Sequence, residues 1–127
     1  MITVVQLPDW SDKTILIAED LDDNYAILAA LLKRTNVHLL RAHNGAEAVD
    51  LVSQKPDINI VLMDISMPDM NGIEALRLIR QQIPDKIVIA QTAHEISEII
   101  ASEGFNDFLQ KPIRRKGLIE LLSKYLS

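Results

Sequence analysis

Short apolar runs of strand length alternate along this chain with segments whose apolar residues recur every three or four positions. The least interrupted run, Ile58 to Met63 (INIVLM), has the length and aliphatic character of a strand buried on both faces. Thr14–Ala18, Val37–Ala42, Lys86–Ala90 (its end near Thr92) and Phe105–Leu109 read as the other strands. Helical spacing links Ile27, Leu28, Leu31 and Leu32, with Asp22 and Asp23 offering an N-cap and favourable first-turn charges. Asn44 followed by Glu47 resembles a capping box, opening a helix to about Ser53 with Val49 and Val52 inward. Ile73, Leu76 and Ile79 mark a helix from Gly72 to about Gln82. Glu95–Ser102 reads as a short helix closed by Gly104 in the left-handed conformation. The last helix runs from about Arg115 to Tyr125 and buries Leu118, Ile119, Leu122 and Leu126. Five strands alternating with five helices predict an α/β fold, a doubly wound parallel sheet with helices on both faces.

At 127 residues the chain reads as one domain, long enough to bury a real core. Residues 1–13 stand apart as an N-terminal arm or linker, broken by Pro8, Asp9, Ser11 and Asp12, with Trp10 docking on the domain proper at 14–127. The absence of cysteine removes disulfides and thiolate metal sites. A formal net charge of −5 argues against direct nucleic-acid binding. No apolar run approaches the ~20 residues of a membrane span, and no signal-peptide pattern opens the chain. The expectation is a cytoplasmic domain without membrane contact.

The chemistry lies at the strand ends, where a sheet of this kind binds ligands. Glu19 and Asp20 follow the first strand, Asp64 ends the third, Thr92 the fourth, and Lys111 follows the fifth. Three converging carboxylates repel one another unless a cation neutralises them. With no His or Cys at these ends, the hard oxygen donors favour Mg²⁺ over zinc or copper, with Mn²⁺ as a substitute. An Asp beside such an ion, a lysine and a hydroxyl is equipped for phosphoryl transfer.

Four segments together, Ile15–Asp20 (ILIAED), Val61–Gly72 (VLMDISMPDMNG), Ala90–Ala93 (AQTA) and Asp107–Pro112 (DFLQKP), resemble the signature segments of the receiver domain of two-component response regulators. That resemblance implies a flavodoxin-like sheet of order 2-1-3-4-5. It implies a phosphoacceptor switch rather than an enzyme, with Asp64 taking a phosphoryl group from a phosphohistidine in a Mg²⁺-dependent reaction. Asp20, Asp64 and the Ser66 backbone carbonyl would ligate the ion, and Glu19 would act mainly through a water. Lys111 and Thr92 would contact the phosphoryl oxygens, and Thr92 with Phe108 would form the switch. The resemblance also suggests a cis Lys111-Pro112 bond. Implied partners are a histidine kinase or a histidine-containing phosphotransfer protein, with phosphorylation-dependent dimerisation through the fourth helix, fifth strand and fifth helix. The run QLPDWSDKTILIAED resembles the join between kinase and receiver modules in hybrid histidine kinases.

Several positions depart from that pattern. Phe108 lacks a hydroxyl, so any switch works through packing. The stretch from Thr92 to Lys111 is short, which predicts a short or displaced fourth helix. Ser66 and His94 flank the acceptor without a strong acid to aim water, which predicts a phosphoaspartate that is not unusually short-lived. Taken singly the residues have plainer readings. Asp22 and Asp23 read as a solvated acidic turn, His43 and His94 as polar loop residues, and Arg114–Lys116 as a solvated turn. The alternative function is a degenerate receiver acting only as a protein-binding module. An aspartyl phosphatase would want an acid at Ser66, and a flavin site would be repelled by Glu19 and Asp20.

Overall fold

Residues 7–67, 70–93 and 102–126 are described by the structure, a computed structural model. Five strands, β1 (Thr14–Ala18), β2 (His38–Ala42), β3 (Ile60–Asp64), β4 (Ile87–Thr92) and β5 (Asp107–Gln110), form one parallel sheet. Their order is β2-β1-β3-β4-β5, as expected. Among the described residues there are four α-helices: α1 (Asp22–Leu32), α2 (Gly45–Gln54), α3 (Gly72–Gln82) and α4 (Arg115–Leu126). The further helix expected over 95–102 falls almost wholly outside the described residues, as does His94.

Successive side chains of a strand point to opposite faces, and the sheet's residues divide accordingly. Leu16, Ala18, Val61, Met63, Val88 and Ala90 pack with α2 and α3 through Val52, Leu76 and Ile79. Ile15, Ile17, Ile60, Leu62 and Ile89 pack with α1 and α4 through Leu28, Leu32, Leu118 and Leu122. Every residue of β3 is buried, which explains its unbroken apolar character.

Local chemistry sets the helix starts. The Asn44 side chain accepts the Glu47 N–H at 2.9 Å, and Asn71 accepts the Glu74 N–H at 3.0 Å. For α1 the expected acidic cap is not used. Leu21 holds the cap position without a side-chain bond, because the Asp22 carboxylate is taken by Arg41 at 2.7 Å. Ile27 is also displaced from expectation. Leu28 and Leu32, four apart, occupy the buried stripe, and Ile27 lies beside it at 53 % exposure.

Two strands begin two residues later than their apolar runs, and β2 one residue later, at His38 rather than Val37. Ile58 is buried but lies in the turn before β3, where its N–H reaches the Lys55 carbonyl and the Asn59 side chain accepts the Thr14 N–H at 2.8 Å. Before β5, Asn106 donates its backbone N–H to the Val88 carbonyl at 2.8 Å while its side chain accepts the Val88 N–H at 2.9 Å, and the regular ladder starts at Asp107. Arg80 donates to the same Asn106 oxygen and to the Gly104 carbonyl. Gly104 has φ of +106°, a conformation that disfavours any residue with a Cβ. The Lys111-Pro112 bond is cis, as the resemblance suggested.

Trp10 docks as expected. Its side chain is buried within the α1–α4 face, the residue being 4 % exposed, and its backbone N–H donates to the Thr35 carbonyl at 2.6 Å. Truncating a buried aromatic costs about 3–5 kcal/mol. Trp10→Ala is therefore expected to lower unfolding free energy by about that amount in urea titrations. A midpoint and slope equal to wild type would contradict this docking.

Candidate functional site

Carrying the strand alternation one residue past the apolar core puts Glu19, Asp64 and Gln91 on the α1–α4 side, in step with Ile17, Leu62 and Ile89. The register pairs Asp64 with Gln91 and Gln91 with Leu109 across β3, β4 and β5. Glu19 and Asp64 are buried, and Asp20 is half-buried beside them. Carboxylate oxygens of these three residues lie within 4.8 Å of one another. The chain brings them together because parallel strands present all their carboxyl ends at one edge of the sheet.

Lys111 supplies the counter-charge. Its Nζ donates to Glu19 Oε1 and to Asp64 Oδ2, each at 3.2 Å. The lysine is aimed by its own backbone, whose N–H bonds the Thr92 carbonyl at 2.7 Å and joins the ends of β4 and β5. Asp64 Oδ1 accepts the Ser66 N–H at 2.9 Å, so both acceptor oxygens have a fixed donor. Burial, then the neighbouring Asp64, push the Glu19 carboxyl up to about 7, against a smaller downward pull from Lys111. Burial works against the Lys111 ammonium, but Asp64 and Glu19 together outweigh it and hold its pKa above the ordinary lysine value.

These groups fit a hard divalent cation. Three carboxylates face one ammonium, and Glu19 Oε2 is buried with no hydrogen-bond partner among the described residues. Among the described residues no His or Cys joins the cluster, which suits Mg²⁺ or Mn²⁺ better than a softer metal.

The remaining expected site residues take these places. Thr92 is buried at the end of β4, and Ser66 is exposed just past Asp64. Phe108 is half-buried in β5 and meets Phe105 edge-on, with ring centroids 5.9 Å apart. Pro68 lies outside the described residues.

Three contributors were not read from the sequence as parts of the site. Arg41 in β2 donates to the Glu19 carbonyl and to Asp22, and stacks 4.8 Å over Tyr25, which pins the acidic turn after β1. Gly72 permits close approach, since a Cβ there would meet the Asp64 carbonyl oxygen at 2.5 Å. Gln91 is fully buried, with both amide atoms unpartnered among the described residues. A lone polar residue ending the apolar run Ile87–Ala90 was the available signal for it.

Comparisons with known proteins agree with this geometry. The family described as response regulator receiver domain matches residues 15–123. Signal transduction histidine-protein kinase BarA of Escherichia coli K12 is 38 % identical over 120 residues, covering 88 % of this chain and 13 % of that protein. Hybrid signal transduction histidine kinase B of Dictyostelium discoideum is 37 % identical over 130 residues, covering 89 % of this chain and 7 % of its own length. The chain thus spans only a small part of these relatives. Among solved structures, the receiver domain of a Pseudomonas aeruginosa PAO1 sensor histidine kinase superposes with a TM-score of 0.83 at 28 % identity, covering 90 % of this chain and 97 % of that one. That structure is described as having a magnesium ion coordinated in its active site cleft. By its sequence match, sheet order and acidic strand-end cluster, this chain belongs to the response regulator receiver domains of two-component signal transduction.

Proposed function

We propose that this domain is a phosphoacceptor switch in which Asp64 takes a phosphoryl group from a phosphohistidine. The observation that carries this reading is the Asp64 carboxylate, buried at a strand end and held between the Ser66 N–H and the Lys111 ammonium. A carboxylate oxygen of Asp64 attacks phosphorus as the bond to the histidine nitrogen breaks, and the imidazole leaves with that electron pair. Little covalent chemistry falls to the protein, so positioning and charge neutralisation dominate. The Ser66 N–H orients the nucleophile. Lys111 can follow the negative charge from the carboxylate onto a phosphoryl oxygen without leaving its place between β1 and β3. Thr92 offers a hydroxyl to a second phosphoryl oxygen.

Asp20, Asp64 and the Ser66 carbonyl are the groups that would hold Mg²⁺ or Mn²⁺, with Glu19 acting through a water. Such an ion, when bound, neutralises charge on the transferring group. Thr92 and Phe108 are the candidates for the mobile pair: Thr92 ends β4, and Phe108 lies within β5, three residues before Lys111. Phe108 can respond only by repacking against Phe105 and its neighbours. The donor would be a histidine kinase or a histidine-containing phosphotransfer protein in the cytoplasm. The relatives named as histidine kinases support this choice.

Two outcomes test the reading. Incubation with acetyl phosphate and Mg²⁺ should add one phosphoryl mass to the wild type and none to Asp64→Asn; full modification of the variant would remove Asp64 from the role. No gain in the wild type from either acetyl phosphate or a cognate phosphohistidine protein would point to a receiver that only binds partners. Separately, Mg²⁺ at a hundred times its dissociation constant should stabilise the fold by about 2.7 kcal/mol. In Asp20→Asn most of that gain should vanish at the same concentration. An equal shift in melting temperature for both proteins would place the ion elsewhere.

A further inference from the structure

The chain carries thirteen Lys and Arg residues against eighteen acids, and its cations are not used evenly. Five of them stand in two runs, Lys33 and Arg34 after α1 and Arg114, Arg115 and Lys116 at the start of α4. All five are exposed, and among the described residues none of their side chains meets a carboxylate or a carbonyl. Of the eight cations elsewhere, seven engage a carboxylate or a backbone carbonyl, and Lys55 is the exception. The two unpaired runs share one groove. Arg34, Arg115 and Lys116 line a cavity of about 550 Å³ together with Leu7 of the arm, Ile119 and Glu120.

Gathering like charges is unfavourable, and their place in the fold adds to the cost. Arg115 and Lys116 lie in the first turn of a twelve-residue helix, where the peptide dipoles already present positive charge, and that turn holds no acid. Glu120, one turn on from Lys116, lines the same groove without pairing with it. An anionic partner turns each of these costs into an attraction. The shape of the groove narrows that partner. Leu7 and Ile119 are half-buried and set apolar surface between the charges. A membrane or a nucleic acid presents a broad array of anions and would also meet the acids that bring the chain to −5. A second copy carries the same repelling net charge, and residues 1–6 (MITVVQ) contain no acid. A peptide segment, by contrast, can set carboxylates on the cations and an aliphatic side chain between Leu7 and Ile119.

From this arrangement we propose that the groove between the end of α1, the arm and α4 is a docking site for an acidic protein segment with aliphatic residues among its carboxylates. None of its lining residues belongs to the acidic cluster around Asp64. Docking there does not rest on the phosphoacceptor reading, and it can be measured without phosphodonor or metal.

The test is fluorescence anisotropy of a labelled peptide, Glu-Asp-Leu-Glu-Glu-Ile-Asp, titrated with the full chain at low ionic strength. Saturable binding is expected, with ¹⁵N NMR shifts at the Arg34, Lys116 and Ile119 amides. Arg34→Gln and Lys116→Gln should each weaken binding about two- to fivefold, the range of exposed ion pairs. The triple variant with Arg115→Gln should lose saturable binding. Lys55→Gln makes the same change in net charge at the end of α2 and should bind as the wild type does. Replacing the peptide's Leu and Ile by Ser should weaken binding about tenfold. All four substituted side chains are exposed, so melting temperatures close to the wild type are expected. No saturable binding, or equal losses in Lys55→Gln and Arg34→Gln, would overturn the proposal and leave a solvated cationic face. So would binding indifferent to the Ser replacements, or tighter association with phosphatidylglycerol vesicles than with the peptide. Self-association of the chain alone that disappears in the triple variant would assign the groove to a second copy instead.

Discussion

The Lys111 ammonium, shared between Glu19 and Asp64, is the contact on which the arrangement of the site depends. It links residues 92 and 47 positions apart in the chain. Only a sheet that places β1, β3 and β5 parallel, with their carboxyl ends at one edge, brings those residues into range. The contact also balances a cost that the fold creates. Burying two carboxylates side by side is unfavourable, and one ammonium offsets part of it in a site where both anions are already desolvated. Burial first and Asp64 second raise the pKa of Glu19, whereas for Lys111 burial acts downward and the two carboxylates overcome it. The excess negative charge suits a divalent ion.

Much of this was legible because strand ends are legible. Where an apolar run stops at a carboxylate, a hydroxyl or a lysine, the residue lies at the sheet edge whatever the exact pairing, and sheet topology does the rest. Glu19, Asp20, Asp64, Thr92 and Lys111 were identified in this way, and the capping box at Asn44 followed from its own local chemistry. What the chain did not disclose depended on contacts between distant segments. The cap of α1 is a case in point, because Asp22 is drawn off by Arg41 on another strand. The late start of β5 is another, since Asn106 spends its side chain on β4 and on Arg80. Ile27 fits the helical period of α1 but lies just outside its buried stripe, a distinction that depends on how the helix is rotated against the sheet.

Glycine and arginine positions show why geometry outruns pattern. Gly72 reads as a turn residue, yet its requirement comes from the Asp64 carbonyl, which leaves no room for a Cβ. The start of α3 is therefore packed directly against the backbone of Asp64. Arg41 performs the corresponding service on the other side. By holding the Glu19 carbonyl and Asp22 together it fixes the turn that aims Glu19 and Asp20, although it stands in a strand with no chemistry of its own.

Two kinds of unpaired polar atom lie behind these strand ends, and charge separates what can satisfy them. Glu19 Oε2 belongs to a cluster with more carboxylate than ammonium, so a cation relieves both its missing contact and the repulsion around it. Gln91 carries no net charge, and a cation could engage its oxygen only while leaving the N–H₂ without an acceptor. The register sets Gln91 beside Asp64, and its amide has no accessible surface from which to meet a ligand.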